Sequence, residues 1–235
     1  MHPFLTDVKT LVLDTLFPIS CITCNANDIL LCQTCLQNFT KVNHQVCIVC
    51  RKPSPFGMTH LSCQTPLGVN GLISLFDYKD TRVAKTIIYG KYKFLPQLFQ
   101  TLSLSLTLFL EQEHLQNYFA ESILTPLPLH SSRKRWRGFN QAQVIVDNIN
   151  LTFGIEQSAV LNRTRATKVQ KNLNHQKRQT NIEGCFEVNT LFKIEPKNYI
   201  LVDDVITTGA TLKEATKVLK SKGAKSVWCF TLARD

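Results

Sequence analysis

The 235-residue chain has no run of 20 residues free of polar or helix-breaking side chains, so no segment reads as a membrane span. The nearest approach, Phe94 to Leu110, is broken by Pro96, Gln97, Gln100 and a series of serines and threonines. No cationic stretch precedes the first apolar residues, and Asp14 interrupts Leu11 to Leu16. A secretory leader is therefore not expected, and the reading places the protein in the cytoplasm. Nine glycines and nine prolines are too few for a collagen-like or low-complexity chain. Acidic residues are also scarce, 17 against 27 lysines and arginines, which leaves a net charge of +10.

That positive charge is unevenly spread. Residues 1–66 hold four Lys or Arg and three acids, so almost all of the excess lies beyond them. Between His130 and Arg178 ten basic residues face only Asp147 and Glu156. Such a stretch is either a footprint for phosphates or nucleic acid, or a solvated basic face.

Nine cysteines in a reducing compartment point to metal ligation rather than to a disulfide framework. Cys21/Cys24, Cys32/Cys35 and Cys47/Cys50 share the C-x-x-C spacing, and His60/Cys63 repeats the offset. A two-residue gap lets a tight turn present two donors to one tetrahedral ion. Four doublets are enough for two Zn2+ sites. The gaps favour sequential groups, Cys21, Cys24, Cys32 and Cys35, then Cys47, Cys50, His60 and Cys63, with a cross-braced pairing as the alternative. Four protein ligands close each site, so both are expected to be structural. Cys185 and Cys229 lie in apolar surroundings and read as core.

Ahead of the cysteines, Leu5, Val8, Leu11, Val12 and Leu16 follow a helical period; beyond Pro66 the pattern becomes that of an α/β domain. The boundary is set near 67, giving a metal-binding module over 1–66 and a larger domain over 67–235. Strands are expected at Leu72–Phe76, Ile123–Leu127, Tyr199–Asp203 and Ser226–Leu232, and helices at Thr81–Tyr89, Gln141–Asn150 and Ala210–Lys222. Thr101–Leu110 alternates Leu with Ser or Thr, which suits a strand, but Leu98, Leu102, Leu106, Phe109 and Leu110 also make a helical face, and helix is preferred. Alternating strands and helices imply a mostly parallel sheet.

The most informative stretch is Tyr199–Thr211. An apolar strand ends in Asp203 and Asp204, and a turn containing Thr207, Thr208, Gly209, Ala210 and Thr211 opens a helix. Backbone N–H groups and hydroxyls at such a helix start bind a phosphate monoester. The two carboxylates suit the hydroxyls of an adjoining ribose, directly or through a divalent ion.

This stretch resembles the phosphoribosyl-pyrophosphate (PRPP) motif of type I phosphoribosyltransferases. Pro126–Leu129 followed by Arg133, the run Arg137-Gly-Phe-Asn-Gln141, Arg163-x-Arg165-x-Thr167, Gln170 and Arg178-x-x-Asn181-x-x-Gly184-x-Phe186 narrow the likeness. With the doubled zinc module, the chain is similar to the ComF family of competence proteins over nearly its whole length. His60, where the family usually has cysteine, is the main departure.

The resemblance implies a type I phosphoribosyltransferase-like fold behind a double zinc ribbon. It also implies PRPP with Mg2+ at Asp203, Asp204 and Thr207–Thr211. A further implication is a part in natural transformation, with single-stranded DNA and other competence proteins, such as a DNA-translocating helicase, as partners. Arg133, Arg135, Arg137, Arg163 and Arg165 are candidates for DNA or pyrophosphate, and Trp136 and Phe139 beside them either stack bases or belong to the core. The alternative is an active phosphoribosyltransferase with an unidentified nucleobase acceptor, in which Arg163, Arg165 and Lys168 would face the pyrophosphate.

Overall fold

A computed structural model describes residues 19–166 and 182–235. The helix expected over Leu5–Leu16 falls outside these residues, as do Thr167, Lys168, Gln170, Arg178 and Asn181. By contacts the chain forms two compact units, Met1–Phe39 and Thr40–Asp235.

In the smaller unit, the first cysteine pair sits on a tight turn closed by the Cys21 N–H on the Ala26 carbonyl at 2.8 Å. A short helix, α1 (Gln33–Gln37), is capped by the Cys32 sulfur and buries Leu36.

The larger unit is built on a four-stranded sheet of β1 (Gly71–Asp77), β2 (Ser122–Pro126), β5 (Asn198–Ile206) and β6 (Ser226–Arg234). The order is β1-β6-β5-β2, and every neighbouring pair is parallel. Both faces of such a sheet are covered, so its strands are apolar almost throughout; β6 is buried at all seven interior positions. A separate two-stranded antiparallel pair joins β3 (Leu161–Arg163) to β4 (Phe186–Val188).

The helices are α2 (Thr81–Tyr92), α3 (Pro96–Gln112), α4 (Leu115–Phe119), α5 (Ser131–Arg137), α6 (Gln141–Phe153) and α7 (Ala210–Ser221). Local chemistry sets their ends. Asp80 caps α2 by accepting the Arg82 N–H at 2.9 Å, and Asn140 caps α6 by accepting that of Ala142 at 3.1 Å. The doubtful Leu/Ser segment is helical. Leu98, Leu102, Leu106 and Leu110 face the core, while Ser103 and Thr107 turn their hydroxyls onto the carbonyls of Gln100 and Leu104 at 2.9 Å. Hydroxyls satisfied within the helix can be buried, which is why strict alternation does not make this segment a strand.

The second cysteine group packs as part of the larger unit. Ile48 belongs to one buried cluster with Leu72, Leu201, Ile206 and Leu212. The boundary expected near 67 follows composition, whereas the packing divides after Phe39.

Candidate functional site

At the carboxyl ends of β2 and β5 lies a cavity of about 220 Å³. Open parallel sheets bind ligands at this edge, because the strand-to-helix loops gather there. Lys91 from the end of α2, Arg133 and Arg137 from α5, Gln141 from α6, Arg163 from β3, and Asp203, Asp204 and Thr211 line it.

Four cations thus surround two carboxylates, and those carboxylates are not equivalent. Asp204 is buried and ion-paired to Lys91 at 2.5 Å. Its other oxygen accepts from Gln141 at 3.3 Å, and Gln141 accepts from Arg137 at 2.5 Å. Burial opposes charge on Asp204, but Lys91 outweighs it and holds the carboxyl below its usual range. The same pair keeps Lys91 protonated despite its burial. Asp203 lacks that partner. Burial first, then the neighbouring Asp204 charge, push its pKa up to about 8.

Beyond β5 the chain turns through Thr207 and Thr208 into α7, with the Thr208 hydroxyl accepting the Ala210 N–H at 3.3 Å. Gly209 at this turn has φ +76, and a Cβ there would lie 3.3 Å from the Ile206 side chain and 3.6 Å from Ile48. Only glycine fits that backbone so close to its neighbours. The Arg51 guanidinium, from the second cysteine group, donates to the Thr207 carbonyl and braces the turn.

The structure gathers some of the expected residues and separates others. Arg133, Arg137 and Arg163 join the two aspartates and Thr211 in the cavity. Arg137 is 5% exposed, so it belongs to the cavity and not to an outer surface. Arg135 and Arg165 are exposed and away from it, Arg165 donating to the Glu183 carbonyl at 2.8 Å. Of the two readings of Phe139 and Trp136, Phe139 takes the core one, leaning on the buried ring of Phe99 at 5.9 Å between centroids, while Trp136 stays exposed. Lys91 was not among the sequence candidates. It lies 113 residues from its partner Asp204, in a helix end that no spacing rule marks.

The metal-binding residues fall into the sequential groups. The donor atoms of Cys21, Cys24, Cys32 and Cys35 lie within 4.8 Å of one another, as do those of Cys47, Cys50, His60 and Cys63. The Cys24 and Cys32 sulfurs are 3.6 Å apart, close to the edge of a tetrahedron with Zn–S bonds of about 2.3 Å. His60 presents Nδ1 to the Cys50 sulfur at 3.3 Å and turns Nε2 to the Pro53 carbonyl at 3.1 Å. That second contact orients a ring ligand towards a metal. Burial alone would raise the Cys21 and Cys47 thiols, but backbone N–H groups aimed at the sulfurs bring them down to about 6 and about 7. The donor sets fit structural Zn2+.

Comparison with known proteins gives two family matches, a double zinc ribbon domain over residues 12–65 and a phosphoribosyl transferase domain over 137–235. Competence protein F of Haemophilus influenzae is 30% identical over 156 residues, which cover 63% of this chain and 67% of that protein. DNA utilization protein YhgH of Escherichia coli is 27% identical over 85% of this chain and 89% of its own. Competence protein ComFC of Bacillus subtilis is 26% identical over 87% and 84%.

Proposed function

Because the chain belongs to the ComF family of competence proteins, we propose that it serves DNA uptake from the cytoplasmic side, holding PRPP in the Asp203–Thr211 cavity and single-stranded DNA on its basic surface. One observation carries the ligand: four cations and two carboxylates line a single cavity at the mouth of β5, with Thr211 from the first turn of α7 beside them. The excess positive charge suits a diphosphate, the turn a 5′-phosphate, and Asp203 a ribose hydroxyl. Mg2+ would enter with the diphosphate, whose oxygens and water supply most of its ligands.

Thermal unfolding with PRPP and Mg2+ tests the reading. A ligand at a hundred times its Kd adds about 2.7 kcal/mol, which raises the Tm by roughly 5–10 °C for a chain of this size. Asp203→Asn combined with Thr211→Val should lose most of that rise. An equal rise in variant and parent would refute the site.

The alternative, transfer of ribose 5-phosphate to a nucleobase, draws on Arg133, Arg137 and Arg163, which would stabilise a departing pyrophosphate. Release of pyrophosphate on adding a panel of bases separates the two readings.

A further inference from the structure

Tyr92, Phe94 and Trp136 come from segments more than forty residues apart, yet they meet at the surface. The Trp136 ring centroid lies 5.7 Å from Tyr92 and 5.2 Å from Phe94, both edge-on. All three rings remain open to solvent, with exposures of 54%, 47% and 52% in chain order. Side chains of this size ordinarily bury most of their surface, and three exposed rings gathered around Trp136 form a patch that calls for an occupant.

The backbone pays to keep one of them there. α2 ends with the Leu95 N–H on the Gly90 carbonyl at 3.1 Å, a closure whose penultimate residue adopts the left-handed conformation. Phe94 fills that place at φ 58. Glycine is the unstrained choice, and a bulky side chain there costs about 1 kcal/mol. Strain retained at an exposed ring points to function rather than to folding.

The surroundings select the occupant. Lys93 lies between the first two rings in sequence, and Lys134 and Arg135 precede the third; all are exposed. Neither 81–110 nor 122–146, the segments that carry the rings, contains a single Asp or Glu. An apolar protein partner would not need so uniform a positive charge. A strand with anionic backbone and flat, unpaired bases matches both features.

We infer that Tyr92, Phe94 and Trp136 form a base-stacking platform for single-stranded DNA, with Lys93, Lys134 and Arg135 meeting its phosphates. This rests on the proposed DNA-binding role and gives it a location outside the ribose-phosphate cavity.

The chain's two tryptophans make the test direct, because Trp228 is only 6% exposed and Trp136 is open. Titrating the full-length, zinc-loaded protein with oligo-dT should quench the Trp136 emission. Phe94→Gly should leave the Tm unchanged or higher and preserve the response to PRPP, while weakening oligo-dT about tenfold or more. Trp136→Phe should keep most of the affinity and lose the quench, and Trp136→Ala should lose both. Duplex DNA of the same length should bind more weakly than oligo-dT. If the parent protein binds no oligo-dT, the DNA-binding reading itself fails. If it binds with unchanged emission, and Phe94→Gly and Trp136→Ala bind equally well, the role stands and the platform is refuted. A change in oligomeric state on Phe94→Gly would assign the patch to a second copy of the chain and overturn the inference.

Discussion

The Asp203 carboxyl gives the proposed PRPP site a pH dependence that can be worked from the structure. With its pKa raised to about 8, most of Asp203 is protonated at pH 7. A ligand whose ribose hydroxyls need it as an acceptor must drive off that proton. One pH unit below the pKa this costs about 1.4 kcal/mol, or tenfold in affinity, and the cost vanishes by about pH 9. PRPP affinity should therefore strengthen roughly tenfold between pH 7 and pH 9. Calorimetry at pH 7 in buffers of different ionisation enthalpy should show close to one proton released per ligand bound. Asp203→Asn provides the control: it binds more weakly, but its residual affinity should vary with pH only as far as the phosphates of the ligand themselves titrate. The stability of the empty protein should move the other way. A carboxyl whose folded pKa lies above its unfolded value contributes stability at low pH, and that contribution is lost between about pH 4 and pH 8. A parent and an Asp203→Asn variant with the same pH profile for PRPP would refute this reasoning.

Removing the partner of Asp204 should be costly. Lys91→Met strands a buried carboxylate, and the expected loss is about 3–5 kcal/mol at pH 7, with a gap to the parent that narrows as pH falls towards 4, read by chemical unfolding across pH. Metal analysis of the purified protein should return two zinc ions per chain, and His60→Ala should return close to one; two ions in that variant would mean that His60 is not a ligand.

Where the sequence was readable, it was so because the determinants are local. Asp203, Asp204 and the Thr207–Thr211 turn are consecutive, and the strand and helix around them carry their own period and caps. The doublets of cysteine gave the two metal groups for the same reason. Lys91 and the aromatic patch were not readable, since each depends on how the end of α2 meets α5 and β5. Phe139 shows the converse difficulty. It stands three residues from Trp136, but the left-handed Gly138, φ 78, ends α5 between them, and the two rings part company. Proximity in sequence made them look like one stacking surface, and a single turn divides them.

The bracing of Thr207 by Arg51, and the packing of Ile48 beside Gly209, bear on how this protein can be taken apart. A cut after residue 66, natural to anyone dividing the chain by its cysteines, would strip a wall from the buried cluster around Ile206 and Leu212 and leave the Thr207 turn unsupported. A cut after Phe39 would spare both, yielding a shortened chain that still carries one metal group and the whole cavity. Chimeras that exchange the zinc ribbons of this chain meet the same constraint: the second ribbon has to travel with the turn it supports.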